Sequence, residues 1–297
     1  MLFEINPRRP TSEDDPANDW LEVANYGKAL RHGGKLLDKL PLSLRVIRKM
    51  HEILLRNVRG RNRSPGEFRK LQVQIGADAR YVPPPPERMQ PCLDALEKYL
   101  NANDASYHPL VRCYIVHYQF EAIHPFLDGN GRVGRALLAL MIYRWCGHYM
   151  PWLYMSPFYE RHKDEYIDRL FQVSTRGDWS GWIEFCLRGT VLQARDSIRR
   201  CDQLRRLRDE FHRKVDKPSS RTARIIEELF SRPLVTVPQL SQQYQVTYPT
   251  AKADIDRLVR VRILSELPEL YPKTYYAAEI MKVAYEEEEA NGSTSSV

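Results

Sequence analysis

The sequence predicts a mainly α-helical protein that ends in a smaller module of helices and short strands. Three observations carry this expectation. Apolar side chains recur at helical spacing through most of the first 210 residues; alternation of period two is confined to residues 68–86; and the pattern changes in kind after residues 214–218. No internal repeat and no low-complexity core segment interrupts the scheme.

The first 19 residues, rich in Pro, Asp, Glu and Asn, read as an irregular lead-in. Over residues 20–37, Leu21, Val23, Ala24, Ala29 and Leu30 fall at helical spacing. A second helix is expected from Pro41-Leu42-Ser43, where proline is tolerated in the first turn, with Leu44, Ile47, Met50, Ile53 and Leu54 along one side. It ends at the basic stretch Arg59-Gly60-Arg61. Leu71, Val73 and Ile75 then alternate with polar residues, Gly76-Ala77-Asp78 turns, and Tyr81-Val82 precedes four prolines, which together predict a small β-hairpin. Helices are expected again at residues 87–101, 109–123, 133–146, 160–174 and 179–210.

Beyond residue 218 the period predicts a short helix over 221–231, a second from Val237, and a third capped by Thr247 that runs through Ala251, Ile255, Leu258 and Val259. Ile263-Leu264-Ser265 and Tyr275-Tyr276-Ala277 read as two strands of a wing. The division expected is therefore residues 1–214, residues 215–285, and a disordered acidic tail at 286–297.

Composition narrows the classes. A chain of 297 residues, 43% of them hydrophobic, can bury a core in each of two domains. It holds no apolar run near the roughly 20 residues that span a bilayer, and its N-terminus lacks the pattern of a signal peptide, so no membrane partner is expected. Five cysteines without a CxxC pair argue against a zinc or redox site and for reduced thiols in a cytoplasmic setting. The net charge of +7, carried largely by arginine, permits a nucleotide or nucleic-acid partner without requiring one.

Residues 124–135 read His-Pro-Phe-Leu-Asp-Gly-Asn-Gly-Arg-Val-Gly-Arg, too polar and glycine-rich for core, between two helical segments. Gly129 and Gly131 let the backbone approach a ligand, and their N–H groups at the start of the next helix form an anion site. Arg132 and Arg135, three apart, can each fork onto phosphate oxygens. Asp128 suits Mg²⁺, which reaches proteins through one or two carboxylates plus substrate phosphates. His124 is the candidate general base for a hydroxyl nucleophile. Asn130 is suited either to bond an oxyanion or to shape the loop.

This run resembles the Fic-family signature without exception: His, any residue, Phe, any residue, Asp or Glu, Gly-Asn-Gly-Arg, two residues, Arg. Similarity extends to residues 54–69 (with Gly60, Pro65, Gly66, Phe68 and Arg69), the hairpin with its prolines, and residues 161–170, covering most of 20–280. The resemblance implies a Fic-type helical bundle with a small β-hairpin flap, followed by a winged helix-turn-helix domain. It implies a protein adenylyltransferase that moves AMP from ATP to a Ser, Thr or Tyr hydroxyl of a target protein, auto-modification included, with ATP as co-substrate and Mg²⁺. In the family's pattern His124 deprotonates the target, Asp128 holds Mg²⁺, and Gly129, Asn130, Gly131 and Gly134 belong to the phosphate-binding turn. Arg132 and Arg135 take the outer phosphates, and Phe126 points inward to lock the turn. Val73, Gln74, Ile75 and Gly76 fall in the flap that holds the target segment, and Tyr166 is a candidate for the adenine pocket.

Many family members carry a Ser/Thr-x-x-x-Glu-Gly/Asn helix whose glutamate pairs with the second motif arginine. Thr11 and Ser12, followed by Asp15 and Pro16, do not match it. The expectation is that Arg135 is free of that restraint, with regulation from elsewhere or from a preceding segment. In the third C-terminal helix Tyr248, Lys252, Arg257, Arg260 and Arg262 are available for DNA, diluted by Asp254 and Asp256, and a protein contact or a homodimer is the other expectation. Residues 199–214 read as a solvated connecting helix. The rival class is a DNA-binding regulator with a nucleotide-sensing or idle catalytic domain. Transfer of another phosphate-containing group is the rival within enzymes, since the motif positions a diphosphate rather than reading a base.

Overall fold

The structure is a computed structural model, and it describes residues 12, 15, 17–76, 79–102, 106–149, 151, 153–216, 219–268 and 270–285. The expected acidic tail lies outside them. The chain divides into two compact units, one of residues 8–195 and one that includes residues 196–297.

In the first unit α1 (Ala17–Leu37) and α2 (Leu44–Leu54) pack on each other, and both lie against α5 (Asn130–Trp145). α3 (Pro86–Asn101) and α5 flank α4 (Pro109–Ile123), while α6 (Ser156–Arg161) and α7 (Lys163–Arg176) follow, and α8 (Trp179–Lys214) begins in this unit. α4 and α5 are apolar on nearly all sides, as befits central helices: Cys113, Tyr114, Val116 and Phe120 from one, and Val133, Leu137, Leu140 and Met141 from the other, are buried. Trp182, fully buried, donates its indole N–H to the Tyr114 carbonyl at 3.0 Å, so the core's largest side chain leaves no unsatisfied donor. Asn25 ties α1 to the end of α2 by donating to the Arg56 carbonyl at 2.8 Å.

Two boundaries moved for visible reasons. The sequence suggested one helix over 160–174, but the chain breaks at His162 between α6 and α7. The helix expected from 133 starts at Asn130, because Gly129 at φ +80° turns the chain into it.

Among the described residues the hairpin is reduced to a single antiparallel bridge, Ile75↔Tyr81. Prolines 83–86 have no N–H to donate to a facing strand. Side chains replace the ladder: Gln72 Nε2 donates to the Pro83 carbonyl at 3.0 Å, and Arg69 Nη2 to the Pro84 carbonyl at 2.5 Å.

In the second unit α9 (Ser220–Leu229), α10 (Val237–Tyr244) and α11 (Tyr248–Arg260) pack with a three-stranded antiparallel sheet, and α12 (Ala278–Tyr285) follows. The sheet comprises β1 (Leu234–Thr236), β2 (Ser265–Leu267) and β3 (Thr274–Tyr276) in the order β1-β3-β2, with Val235 and Glu266 both opposite Tyr275. Its core gathers Phe211, Ile226, Leu229, Ile255, Leu258 and Tyr275. Thr236 and Gln239 form a reciprocal capping box at the start of α10. Asp254 is spent inside this unit, where it accepts from Arg221 Nε at 2.5 Å.

Candidate functional site

α4 stops at Ile123 because His124 takes a left-handed conformation, φ 50° and ψ 61°. A non-glycine residue held there stores strain, and it persists only where its surroundings fix it. They do: the His124 N–H donates to the Phe120 carbonyl at 3.0 Å, and the His124 carbonyl accepts from Arg69 Nε at 2.8 Å. Arg69 is buried and also donates to the carbonyls of Leu71, at 3.1 Å, and Pro84. One guanidinium thus joins the base of the flap to the catalytic candidate.

The turn that follows is closed from within. Phe126 is fully buried, its ring stacked on His51 with centroids 3.8 Å apart. Asn130, also buried, clamps the Phe126 backbone at both ends: its Oδ1 accepts from the Phe126 N–H at 2.9 Å and its Nδ2 donates to the Phe126 carbonyl at 2.8 Å. Its carbonyl oxygen and one of its N–H groups are therefore committed to shaping the loop.

His51, on the apolar side of α2, braces the same turn from outside. Its Nδ1 accepts the Gly66 N–H at 2.7 Å, which leaves Nε2–H to donate to the Asp128 carbonyl at 2.9 Å. The Asp128 carboxylate accepts from the Gly129 N–H at 2.6 Å. A Cβ on Gly60 would lie 2.2 Å from Asp128 Oδ2, so glycine at φ +80° is what lets the loop after α2 pass this carboxylate.

α5 opens at Asn130 with the first-turn N–H groups of Gly131 and Arg132 left without helical acceptors, the arrangement that binds anions. Arg132 Nη1 lies 3.2 Å from Glu22 of α1, and Arg132 Nη2 lies 3.7 Å from Asp128. Among the described residues Arg135 makes no ion pair. Its Nη1 lies 3.0 Å from where a Gly131 Cβ would stand, so the guanidinium folds back over the first turn.

Beside His124 lies a cavity of about 230 Å³ whose lining includes Ile75, Gly76, Tyr81, Glu121, His124 and Tyr166. The hydroxyl of Tyr166 is 3.1 Å from His117 Nε2. The structure thus brings Ile75, Gly76 and Tyr166 to the base, whereas Val73 and Gln74 do not line this cavity and Gln74 is exposed. Glu22, His51 and Glu121 are site residues that the sequence did not single out, and Arg69 stood out there only as part of the family resemblance. A histidine on an otherwise apolar helix face was the one available signal, and it pointed to His51.

Buried polar atoms without an aligned side-chain hydrogen bond gather here. Of the six such side-chain atoms among the described residues, four belong to His117, Glu121, His124 and Arg132. Burial sets the charge of the histidines and of Glu121. It lowers the His124 ring to about 4, against the Glu121 carbonyl, which favours the protonated ring. It likewise lowers His51 to about 4 and His117 to about 3, and it pushes Glu121 up to about 7. His124 is therefore neutral at physiological pH and able to accept a proton.

The same shifts set acid stability. For the three histidines the unfolded chain, titrating near 6.5, binds protons that the folded chain refuses, so stability falls as pH falls from about 6.5 toward 4. Glu121 acts oppositely: its protonated form is favoured in the fold, so its penalty shrinks as pH falls from 7. Three groups against one make Tm at pH 5 several degrees lower than at pH 7. A calorimetric Tm that is equal or higher at pH 5 contradicts this balance.

Residues 41–142 match the model of the Fic/DOC family. Among curated proteins the chain is 35% identical over 121 residues to "Protein adenylyltransferase Fic" of Aedes aegypti, which is 40% of this chain and 22% of that protein. It is 33% identical over 128 residues to the protein of the same name from Drosophila grimshawi, covering 41% and 25%. The chain thus spans about a quarter of the length of these curated relatives. Among solved structures it is similar to a Fic family protein from Desulfovibrio desulfuricans G20, with TM-score 0.55 and 21% identity over 93% of this chain and 79% of that one. A Fic domain containing signaling protein from Bacteroides thetaiotaomicron VPI-5482 gives TM-score 0.51 and 20% identity over 66% and 77%. These two likenesses are of fold.

Proposed function

We propose that this chain, which carries a Fic/DOC family domain over residues 41–142, is a protein adenylyltransferase that moves AMP from ATP to a hydroxyl side chain of a target protein. The observation that carries the reading is the neutral His124 ring held beside the α5 N-terminus, whose first-turn N–H groups have no helical acceptors and which carries Arg132 and Arg135. Buried polar groups cost stability unless bonded, and a polyphosphate with a polar base and a hydroxyl nucleophile supplies the missing partners.

The target hydroxyl oxygen attacks the α-phosphorus, the bond from that phosphorus to the bridging oxygen of the β-phosphate breaks, and pyrophosphate leaves. His124 takes the hydroxyl proton on its neutral ring. The α5 N-terminus with Gly129 and Gly131 receives the phosphates, and Arg132 and Arg135 neutralise the outer ones. Gly134, buried one turn further on, instead lets α5 pack closely on Phe120 and Glu121 of α4. Such chemistry needs positioning and charge neutralisation more than covalent help. Among the described residues no three His, Cys, Asp or Glu side chains form a metal cluster. A lone Asp128 carboxylate fits Mg²⁺ all the same, because that ion takes most of its ligands from water and phosphates. When bound there, Mg²⁺ offsets phosphate charge.

Ile75, Gly76 and Tyr166 of the cavity beside His124 suit an adenine ring, and the extended segment of Val73 and Gln74 next to the Ile75↔Tyr81 bridge suits strand-like pairing with the target segment. Incubation with ATP labelled at the α-phosphate, in parallel with ATP labelled at the γ-phosphate, tests the reading. Label on protein from the α-position alone is expected. Label from the γ-position alone shows phosphate transfer and overturns it.

The second unit, we infer, is a winged helix that contacts DNA or protein. Exposed Tyr248, Arg260 and Arg262 favour a phosphate backbone, while Lys252 is tied to Asp256 on the same helix. A DNA affinity that drops steeply between 50 and 200 mM salt, roughly in that range of ionic strength, is the expected result for DNA. An affinity insensitive to salt excludes it.

A further inference from the structure

Glu22 stands where the proposed function places a ligand. On α1 it sits one turn after Asp19, and its two carboxylate oxygens engage two different arginines. Oε1 accepts from Arg59 Nε at 2.8 Å, and Oε2 lies 3.2 Å from Arg132 Nη1. The two engagements differ in kind. The first is a directed hydrogen bond, and it is the main reason the Arg59 guanidinium is held above its ordinary range. The second is close in distance only, because Arg132 Nη1 is buried and makes no aligned hydrogen bond. Arg59 also pairs with Asp19. The side chains of Glu22 and Arg132 are 18% and 22% exposed and that of Arg59 is 46% exposed, so the loosely aligned pair is the more sheltered one.

We propose that Glu22 sets the affinity of the phosphate site: it is the resident anion that an entering polyphosphate displaces from Arg132, and Arg59 retains it afterwards. The inference rests on the reading of Arg132 as a phosphate ligand. A phosphate oxygen offers Arg132 Nη1 the aligned acceptor that Glu22 withholds, and charge-assisted forked bonds of that kind are the stronger ones. The displaced carboxylate keeps its directed bond to Arg59, so its release strands no buried charge. Asp128, 3.7 Å from Arg132 Nη2, is the other acidic neighbour of that guanidinium and stays in place with its own bond to the Gly129 N–H. Glu22 and Arg59 therefore act on ATP binding in opposite directions although they touch each other.

Calorimetric titration of ATP with Mg²⁺ into the full chain tests this, with His124→Ala as the background so that the nucleotide is not consumed. Glu22→Gln is expected to tighten ATP binding about fivefold, the worth of one partly exposed ion pair. Arg59→Ala is expected to weaken it, because Glu22 then has only Arg132 to hold. The double variant is expected to match Glu22→Gln alone. Binding that is unchanged or weaker in Glu22→Gln overturns the inference, and so does an Arg59→Ala loss of equal size with and without Glu22. If the background chain binds ATP and Glu22→Gln fails to tighten it, this inference alone falls. If the background chain binds no ATP, the functional reading falls with it.

Discussion

His124→Ala is expected to lower the single-turnover rate of AMP transfer by about 10²–10⁴-fold, the usual worth of a positioned general base. ATP affinity is expected to stay within about twofold, because the ring takes a proton and holds no phosphate. The pH profile adds an independent check. Burial lowers the ring to about 4, so transfer by the unsubstituted chain is level through neutrality and falls only as pH approaches that value. Activity that titrates near an ordinary histidine pKa places His124 outside the buried setting described above. Undiminished labelling by His124→Ala removes it from the reaction.

Arg69→Ala carries the largest expected effect on stability. The side chain serves the carbonyls of His124, Leu71 and Pro84 from a buried position. Its loss leaves those acceptors without partners, at a cost on the order of 3–5 kcal/mol. Denaturant unfolding of the full chain reads this directly. Arg69→Lys keeps the charge and is expected to recover only part of the stability, since a point charge cannot span carbonyls that a planar fork reaches. Transfer falls in both, because the His124 backbone and the flap lose their common tie. A cost below about 1 kcal/mol for Arg69→Ala, the level of an ordinary neutral hydrogen bond, contradicts this role.

How far the fold was legible depended on the length of each element. α4 reads directly because Pro109 starts it and a largely apolar run without glycine or a second proline continues to Ile123. β1 was missed since three residues, all buried, show no alternation. α12 was missed where the apolar run after Tyr276 shades into the acidic end. The hairpin pattern was present in the sequence, yet Leu71 is 65% exposed and the prolines leave one bridge among the described residues.

The site divides along the same line. Residues 124–135 are contiguous, and their residue types announce an anion site with a base beside it. The side chains that hold them, Glu22, His51 and Arg69, come from elements far off in sequence, and no local pattern ties an α1 carboxylate to Arg132. The expectation for Arg135 concerned a glutamate on a matching helix. The acidic contact present in the fold instead reaches the other motif arginine, through Glu22.

The most direct test of the account is the intact mass of the purified chain, alone and with its His124→Ala variant, after incubation with ATP and Mg²⁺. A gain of one AMP on the unsubstituted chain that is absent from the variant is the result predicted. A gain of phosphate in its place, or an AMP gain that persists without His124, contradicts it.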